Sequence, residues 1–365
     1  MDNPLVSVIT PTYNHERHIR ACIESVLGQS YTIWEQIIID DASWDGTAEI
    51  IGQYASKDQR IKLISHTENC GITSLGDTYN EALSVSKGRF VAVLEGDDCW
   101  PSDKLEKQLE LFCDQKIVVT WGAGHIIDGD GKVLGRFSEA WRKWPEDVMR
   151  NRPVGNTLKL LLLRNFLTPS AALMFRRQPL LEIGGFWQPE SCFCVDYPTC
   201  LKMSLKGEFM YSREVMGFWR YHSNQVTAQL MNTPTTIAGE AFWNSLSELE
   251  KRQLGLEKME RPLLARSSWI RGRRLMALGQ AKRARYFFVK ALFANQGIVS
   301  VKSGIVLVMS LFCPSLVQDM FATALTDSIW LKKFLWNNAM AVGNRRPMGS
   351  HEMNAFSAQG AAEKN

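Results

Sequence analysis

Across the first 120 residues, five short apolar runs alternate with four segments of helical period, and few architectures accept that order. Leu5–Thr10, Gln36–Ile39, Ile61–Ser65, Phe90–Leu94 and Ile117–Thr120 read as strands. His15–Leu27, Thr47–Tyr54, Tyr79–Val85 and Lys104–Cys113 read as helices between them. Repeated βαβ units with right-handed crossovers predict an α/β fold, a mostly parallel sheet with helices on both faces. Ligands of such sheets bind outside the carboxyl ends of the strands. Neither G-x-G-x-x-G nor G-x-x-x-x-G-K-[ST] is found, which counts against a dinucleotide oxidoreductase and a P-loop NTPase.

The strand ends carry the chemistry. Phe90–Leu94 runs into Glu95-Gly96-Asp97-Asp98, three carboxylates in four residues. Acids packed this closely repel unless a cation lies between them, and an all-oxygen set suits Mg²⁺ or Mn²⁺. The competing reading is an acidic turn in which Ser102 or Asp103 caps the next helix. Strand one ends in Pro11-Thr12-Tyr13-Asn14 and strand two in Asp40-Asp41, on the same edge of a parallel sheet. A carboxylate there can accept the N3–H of uracil or thymine, with a tyrosine flanking the base. Asp45 is expected to cap the helix from Thr47, and Asp128-Gly129-Asp130-Gly131 to turn a hairpin.

Beyond the alternating half the pattern changes. Trp141–Arg152 is rich in tryptophan and charge and reads as a surface loop. Thr157–Arg164, Pro179–Ile183 and Asp196–Leu205 have helical spacing, Ser170–Phe175 reads as a strand, and Gly207–Arg220 as two short strands. From about Val226 to Val342 the chain reads as helical, and the tail 343–365 as polar and disordered. His15, His18, His66, His125 and His351 show no metal spacing and are expected to be satisfied or solvated. Trp121, Trp141, Trp144 and Trp187 are expected to pack in core or loops rather than stack on a ligand.

Val6–Asn14, Ile37–Thr47, Asn69-x-Gly71 through Asn80 to Gly88, and Leu94–Trp100 together resemble glycosyltransferase family 2, in order and spacing. So do Thr168–Arg177, Gly184-Gly185-Phe186, Val195-Asp196-Tyr197 and Trp219-Arg220-Tyr221-His222. The resemblance implies a GT-A fold over residues 1–228, split into a nucleotide-sugar half (1–120) and an acceptor half (121–228). It further implies inversion at the anomeric carbon, a divalent cation (Mn²⁺ or Mg²⁺), and a nucleotide diphosphate sugar donor of the UDP or dTDP type. By the same resemblance Asp98 would be the main metal ligand, with Asp97 near the metal or ribose, and Asp196 the catalytic base. Asp41 would meet the base, with Asp40, Pro11, Thr12 and Tyr13 close by; Arg220 and His222 would hold the diphosphate, unless they are a plain solvent-facing pair. Three departures stand out: Glu95 replaces an Asp, Val195 replaces an acid before the base, and the segment from Gly71 to Asn80 is long and lacks an Arg.

The C-terminal region, 229–342, differs in charge. Residues 251–290 hold twelve Lys or Arg against two Glu, a balance of +10 in a chain of net +4. Residues 303–318 carry no charge, too short a stretch to span a bilayer and broken by Pro314. A basic, amphipathic region of this kind suits an anionic membrane surface, or forms a subdomain covering the catalytic half. Nucleic acid is not an expected partner at this net charge. Eight scattered cysteines without C-x-x-C, and no secretory signal, point to a reduced, cytoplasmic setting, peripheral on the inner membrane face. The expected acceptor is a glycan, lipid-linked during surface-polysaccharide assembly. The alternatives are a nucleotidyltransferase, which would want a Gly- and Lys/Arg-rich loop after strand one, and an inactive carbohydrate-binding or scaffold protein.

Overall fold

The computed structural model describes residues 3–137, 144–190, 192–222, 225, 238–294 and 297–326. Trp141, His351, the tail 343–365 and the end of the helical region lie outside them. One eight-stranded sheet organises the N-terminal part: β1 Val6–Thr12, β2 Trp34–Asp40, β3 Ile61–Ser65, β4 Phe90–Val93, β5 Ile117–Ile127, β6 Val133–Arg136, β7 Met174–Arg176 and β8 Glu208–Arg220. Its order is β3-β2-β1-β4-β7-β5-β6, with β8 on the other side of β5. The β3-β2-β1-β4 run is parallel, as the alternation requires.

Helices cover both faces because successive strand residues point opposite ways. Ile9, Ile37, Ile39, Val91 and Val93 share one core with Tyr79 and Leu83 of α3 (Leu75–Val85) and with Leu158 and Leu161 of α6 (Leu158–Leu163). Val8, Ile38, Ala92 and Leu94 face a second core with Ile19, Ile23 and Val26 of α1 (Ile19–Leu27), Ile51 of α2 (Thr47–Ala55) and Leu105 of α4 (Lys104–Glu110).

The structure departs from the sequence pattern in the second half. β5 does not join β4. The three-residue β7 sits between them, antiparallel to both. Only Met174–Arg176 of the expected Ser170–Phe175 strand is extended; Ser170–Ala172 is a 3₁₀ turn. Gly207–Arg220 forms one strand rather than two. It runs parallel to β5 with a register shift where Ser212 pairs Gly122 and Val215 pairs Ala123, so Arg213 and Glu214 bulge out. The β5–β6 hairpin turns at Asp128, whose carboxylate accepts the Asp130 and Lys132 amides.

α5 (Glu146–Met149), a short helix within the stretch expected to be a surface loop, precedes α6, and α7 (Arg177–Glu182) and α8 (Asp196–Met203) complete the sheet domain. Further helices follow at Ala238–Ser245, Glu248–Gln253, Glu260–Ala277, Ala281–Phe293, Gly297–Phe312 and Pro314–Thr326. The first packs on α6 and α8; Gly239 is needed there because a Cβ would lie 2.0 Å from the Leu162 carbonyl. The last four share a small core of Leu275, Met276, Phe288, Val306, Val317 and Phe321. No helix among the described residues is long and apolar enough to cross a membrane.

Candidate active site

Strand register gathers the predicted residues on one edge. Thr12 pairs with Asp40 across β1 and β2, and the Asp41 amide donates to the Thr12 carbonyl (2.9 Å). On the other flank of β1 the Gly96 amide donates to the Pro11 carbonyl (3.1 Å), which brings Glu95, Asp97 and Asp98 alongside. Gly96 allows the close approach: a Cβ there would lie 2.5 Å from Thr12 Oγ1 and 2.8 Å from His15 Nδ1. Tyr13 is exposed at this edge.

The acidic residues occupy distinct environments. Asp98 is buried and takes one protein donor among the described residues, the Arg220 amide at 2.8 Å. Burial, with Asp97 and Glu95 beside it, pushes its carboxyl well above the usual range. Asp97 goes the other way: burial opposes ionisation, but His15 and His222 outweigh it and draw the carboxyl down to about 2. His222 Nε2 lies 3.1 Å from Asp97 Oδ2 and His15 Nε2 lies 3.9 Å away. Glu95 accepts from Tyr79 Oη (2.7 Å) and Ser170 Oγ (3.0 Å). Burial, aided by Asp196 and Asp97 against the pull of the Tyr79 hydroxyl, pushes Glu95 up to about 7. A buried pair of carboxylates, one of them with a single protein donor, fits a hard divalent cation, which prefers oxygen ligands. Asp103 stands at the N-cap of α4 without a side-chain cap bond, and its carboxylate pairs with Lys107 (2.7 Å).

Asp196 opens α8. Burial raises its carboxyl above the ordinary aspartate range, against hydrogen bonds from the Tyr197 amide and the Asn165 side chain. Asn80 closes a reciprocal pair with Phe186, donating to its carbonyl (2.8 Å) and accepting from its amide (2.7 Å). That pair ties α3 to the Gly184-Gly185-Phe186 turn, where Gly185 has φ +83°.

Three of the residues expected to meet the donor are also held by bonds within the protein. The Arg220 guanidinium is buried and engaged: Nε donates to the Asp97 carbonyl (2.8 Å), and one terminal nitrogen donates to the carbonyls of Asp128 and Gly129 (2.9 Å each). It clamps the acidic turn to the β5–β6 hairpin. Both oxygens of Asp41 are taken, Oδ1 by His66 Nδ1 (2.8 Å) and the Cys70 amide (2.9 Å), Oδ2 by Asn69 Nδ2 (3.0 Å) and the Gly71 amide (3.2 Å). Its carboxylate therefore anchors the loop after β3. Asp40 accepts from the Ser43 amide (3.2 Å) and hydroxyl (2.5 Å). Asp45, as expected, accepts the first amide of α2, from Thr47 (3.0 Å).

Sequence alignment now decides the family. Residues 7–183 match the model of glycosyl transferase family 2. TuaG of Bacillus subtilis, named for teichuronic acid biosynthesis, is 41% identical over 249 residues, 68% of this chain and 89% of that protein. The chain belongs to glycosyltransferase family 2. A second family member, WfgD of Escherichia coli, is 35% identical over 169 residues, 46% of this chain and 64% of its own length. Its name describes glucose transfer from UDP-glucose to α-D-GlcNAc-diphosphoundecaprenol. Solved structures share the GT-A fold. A mannosyltransferase of Pyrobaculum calidifontis aligns with TM-score 0.55 at 17% identity, covering 93% of this chain and 87% of that one. Residues 1–349 of TarS from S. aureus align with TM-score 0.52 at 16% identity, covering 90% and 92%.

Within this glycosyltransferase, the histidines were the least legible from sequence. His15 lies just after β1, His18 precedes α1 and His222 follows β8, yet they converge on Asp97. The His18 and His222 rings stand 4.9 Å apart. Burial and the nearby Arg220 charge push His18 down to about 4. Only the placement of His15 in the β1–α1 loop, on the ligand edge, could have flagged the group. Trp121 is buried in the core and Trp187 packs on Phe242, as expected of the tryptophans.

Proposed function

We propose that this glycosyltransferase moves a sugar, with inversion, from a UDP- or dTDP-sugar to a hydroxyl of a lipid-linked glycan in surface-polysaccharide assembly. The observation that carries the reading is the buried Asp97–Asp98 pair at the sheet edge, together with a base candidate, Asp196, at the start of α8 whose charge acts on the neighbouring Glu95. Asp98 and Asp97 would hold the divalent cation, which when bound offsets the charge that develops on the departing nucleotide diphosphate. Asp196 takes the proton of the acceptor hydroxyl as it attacks, a contribution on the order of 10²–10⁴-fold. Its desolvated, raised carboxyl makes it a stronger base than a solvated aspartate. Pro11, Thr12, Tyr13 and Asp40 form the floor and flank of the nucleotide site. Asp41 shapes that site by holding the 66–71 loop, and Arg220 by fixing the acidic turn. His222, whose Nε2 lies 3.1 Å from Asp97 Oδ2, would stand beside the diphosphate. The name of WfgD supports the lipid-linked acceptor, and that of TuaG a place in polysaccharide synthesis.

A lipid-linked acceptor calls for a membrane-facing surface, and the C-terminal helices offer one. Val301, Ile305, Val308 and Phe312 recur at i, i+4, i+7 and i+11 along Gly297–Phe312 and are all exposed. Phe293 (80% exposed), Leu316 and Met320 on the flanking helices are also exposed, and the exposed cations Lys282, Arg283, Lys290 and Lys302 lie on the same helices. Apolar surface beside cations matches an anionic lipid headgroup layer. Half of the basic residues counted in 251–290 serve internal contacts instead. Arg271 pairs with Glu240 (2.7 Å), and Arg266 donates to the Leu163 carbonyl (3.2 Å).

The direct test is a nucleotide-sugar panel, scored for release of nucleotide diphosphate with Mn²⁺ or EDTA. Mn²⁺-dependent hydrolysis of one donor supports the reading. Binding without any turnover would favour the inactive carbohydrate-binding alternative.

A further inference from the structure

The helices Glu260–Ala277 and Ala281–Phe293 carry five and four basic residues, nine together, against one acid, Glu260. A partly open cavity of about 130 Å³ is lined by Arg271, Arg274 and Leu275 of the first and by Arg283 and Phe287 of the second. Its walls are almost wholly carbon: the Leu275 side chain, the Phe287 ring and the alkyl stems of the arginines, whose charged ends therefore stand at its edge. We infer that this cavity is a subsite for the lipid diphosphate of the acceptor, with the first carbons of the chain inside it and the diphosphate on the arginines at its edge. This subsite presupposes the lipid-linked acceptor proposed above, and adds where its carrier is held.

Size and charge both fit. An apolar cavity of roughly 150 Å³ holds benzene, so this one has room for about five carbons. Planar guanidinium groups bind phosphate oxygens in pairs, and a diphosphate offers two phosphates side by side. Counter-charge within the protein is sparse. Arg271 is matched by Glu240 (2.7 Å), but Arg283 Nη1 meets the neutral Gln280 Oε1 (2.7 Å). Arg273, next to Arg274, keeps a buried Nε without a partner among the described residues. Burial draws the Arg274 guanidinium below its ordinary range, against the Cys192 and Cys194 thiols and with the Arg271 charge beside it. A bound anion offsets that crowding of positive charge.

The position fits as well. Arg274 and Asp196 both act on the Cys192 and Cys194 thiols, so the cavity edge neighbours the start of α8, where the acceptor hydroxyl meets its base. The Arg271–Glu240 pair joins the same helix to Ala238–Ser245, which packs on α8. On its other side Ala281–Phe293 packs against Gly297–Phe312, which carries the exposed apolar face. In packing order, a carrier in the cavity lies between the lipid-facing helix and the base.

Farnesyl diphosphate is the probe, titrated calorimetrically into full-length protein in EDTA, which keeps the cation-dependent donor site from taking the diphosphate. Wild type should bind it at least about 10-fold more tightly than inorganic diphosphate, since two buried methylenes suffice for that factor. Farnesol should not bind, dihexanoyl phosphatidylglycerol should bind more weakly, and excess UDP should not compete. Arg283 is exposed, so Arg283→Gln tests the site without disturbing a core; it and Arg274→Gln should each weaken farnesyl diphosphate about 10-fold or more. Phe287→Ala should weaken farnesyl diphosphate and leave inorganic diphosphate unchanged. Unchanged binding in both arginine variants, or displacement by UDP, overturns the cavity assignment and leaves the lipid-linked acceptor standing. Equal affinity for the phospholipid reduces the site to a headgroup contact and also overturns it. A wild type that binds no farnesyl diphosphate yet glycosylates a lipid-linked glycan overturns the subsite alone; one that does neither removes the acceptor reading with it.

Discussion

Arg220 and Asp98 are 122 residues apart in sequence and are joined by one buried hydrogen bond, the Arg220 amide to Asp98 Oδ1 at 2.8 Å. The same residue's guanidinium holds the Asp97 carbonyl. The end of β8 therefore sets the position of both acids, and a two-strand bridge between Cys99 and Phe218 reinforces it.

Arg220→Ala should remove a donor from the carbonyls of Asp97, Asp128 and Gly129. Of these only the Asp97 carbonyl is a buried group left unpaired, since Asp128 keeps the Gly131 amide (3.1 Å) and Gly129 is exposed. The expected loss of stability is about 2 kcal/mol, given roughly 1–3 kcal/mol for a buried group left unpaired. Mn²⁺ affinity should fall as well, because the acidic turn loses its clamp. Arg220→Lys cannot reach all three carbonyls and should recover only part of either property. Urea denaturation alongside Mn²⁺ titration measures both; an Arg220→Ala protein of native stability that loses only nucleotide affinity would instead mark Arg220 as a diphosphate ligand.

Asp196→Asn keeps the shape of the side chain but cannot take a proton. Donor affinity should stay near wild type while kcat drops by roughly 10²-fold or more. The acid limb of the wild-type kcat profile should lie above the ordinary aspartate value of 3.8, because burial raises this carboxyl. Asn165→Ala, which removes a bond favouring the charged form, should move that limb further toward alkaline pH. Steady-state kinetics across pH checks the pair. Near-normal turnover in Asp196→Asn removes this residue from the mechanism.

His66 gives a stability effect of known sign. Its bonds to Asp41 and Glu81 raise its folded pKa above the ordinary 6.5. The charged form is thus favoured by folding, and the stabilisation is fully present below pH 6.5 and lost as pH rises through the folded value. With EDTA present, His66→Gln should be destabilised at about pH 5 and close to wild type at about pH 9.5. Melting curves at the two extremes decide it, and an equal deficit at both would show that charge on His66 contributes nothing.

The apolar face of Gly297–Phe312 should insert into lipid. Val301, Ile305 and Val308 changed together to Asp should reduce vesicle binding by on the order of 10²-fold, taking about 1 kcal/mol for each partly inserted side chain. Reversing Lys282, Arg283 and Lys290 to Glu should remove the preference for anionic over neutral vesicles, about 1 kcal/mol per charge. Donor hydrolysis should be unaffected in both. Flotation at low salt and near 1 M salt separates the two contributions, since screening weakens only the second. Full-length protein that ignores anionic vesicles at low salt would leave these helices as a cover for the catalytic half.

Sequence periodicity located β1 to β4 and their helices because each is a local pattern with one buried face. Asp97 and Asp98 were legible for the same reason, standing at the end of a recognisable strand. What periodicity cannot convey is spatial order. β7 wedges between β4 and β5 with only three residues, too few to show alternation. β8 looked like two strands because Arg213 and Glu214 bulge from a continuous ladder. The roles of Arg220 and of the His15–His18–His222 group depend on segments that meet only in the folded protein. Asp41 illustrates the same limit. Its place on the sheet edge was readable, but the four donors that saturate it come from a loop some twenty-five residues later.

The most direct test of the site is calorimetry of nucleotide binding to wild type and Asp98→Ala, using UDP, dTDP and GDP with Mn²⁺ or EDTA. If Asp98 and Asp97 hold the cation that meets the diphosphate, one nucleotide binds wild type in Mn²⁺ at least about 10-fold more tightly than in EDTA, a difference of about 1.4 kcal/mol. Asp98→Ala in Mn²⁺ then matches wild type in EDTA. Equal affinity for the bound nucleotide in Mn²⁺ and EDTA, or full metal dependence retained in Asp98→Ala, would contradict the assignment of this edge as the metal and donor site.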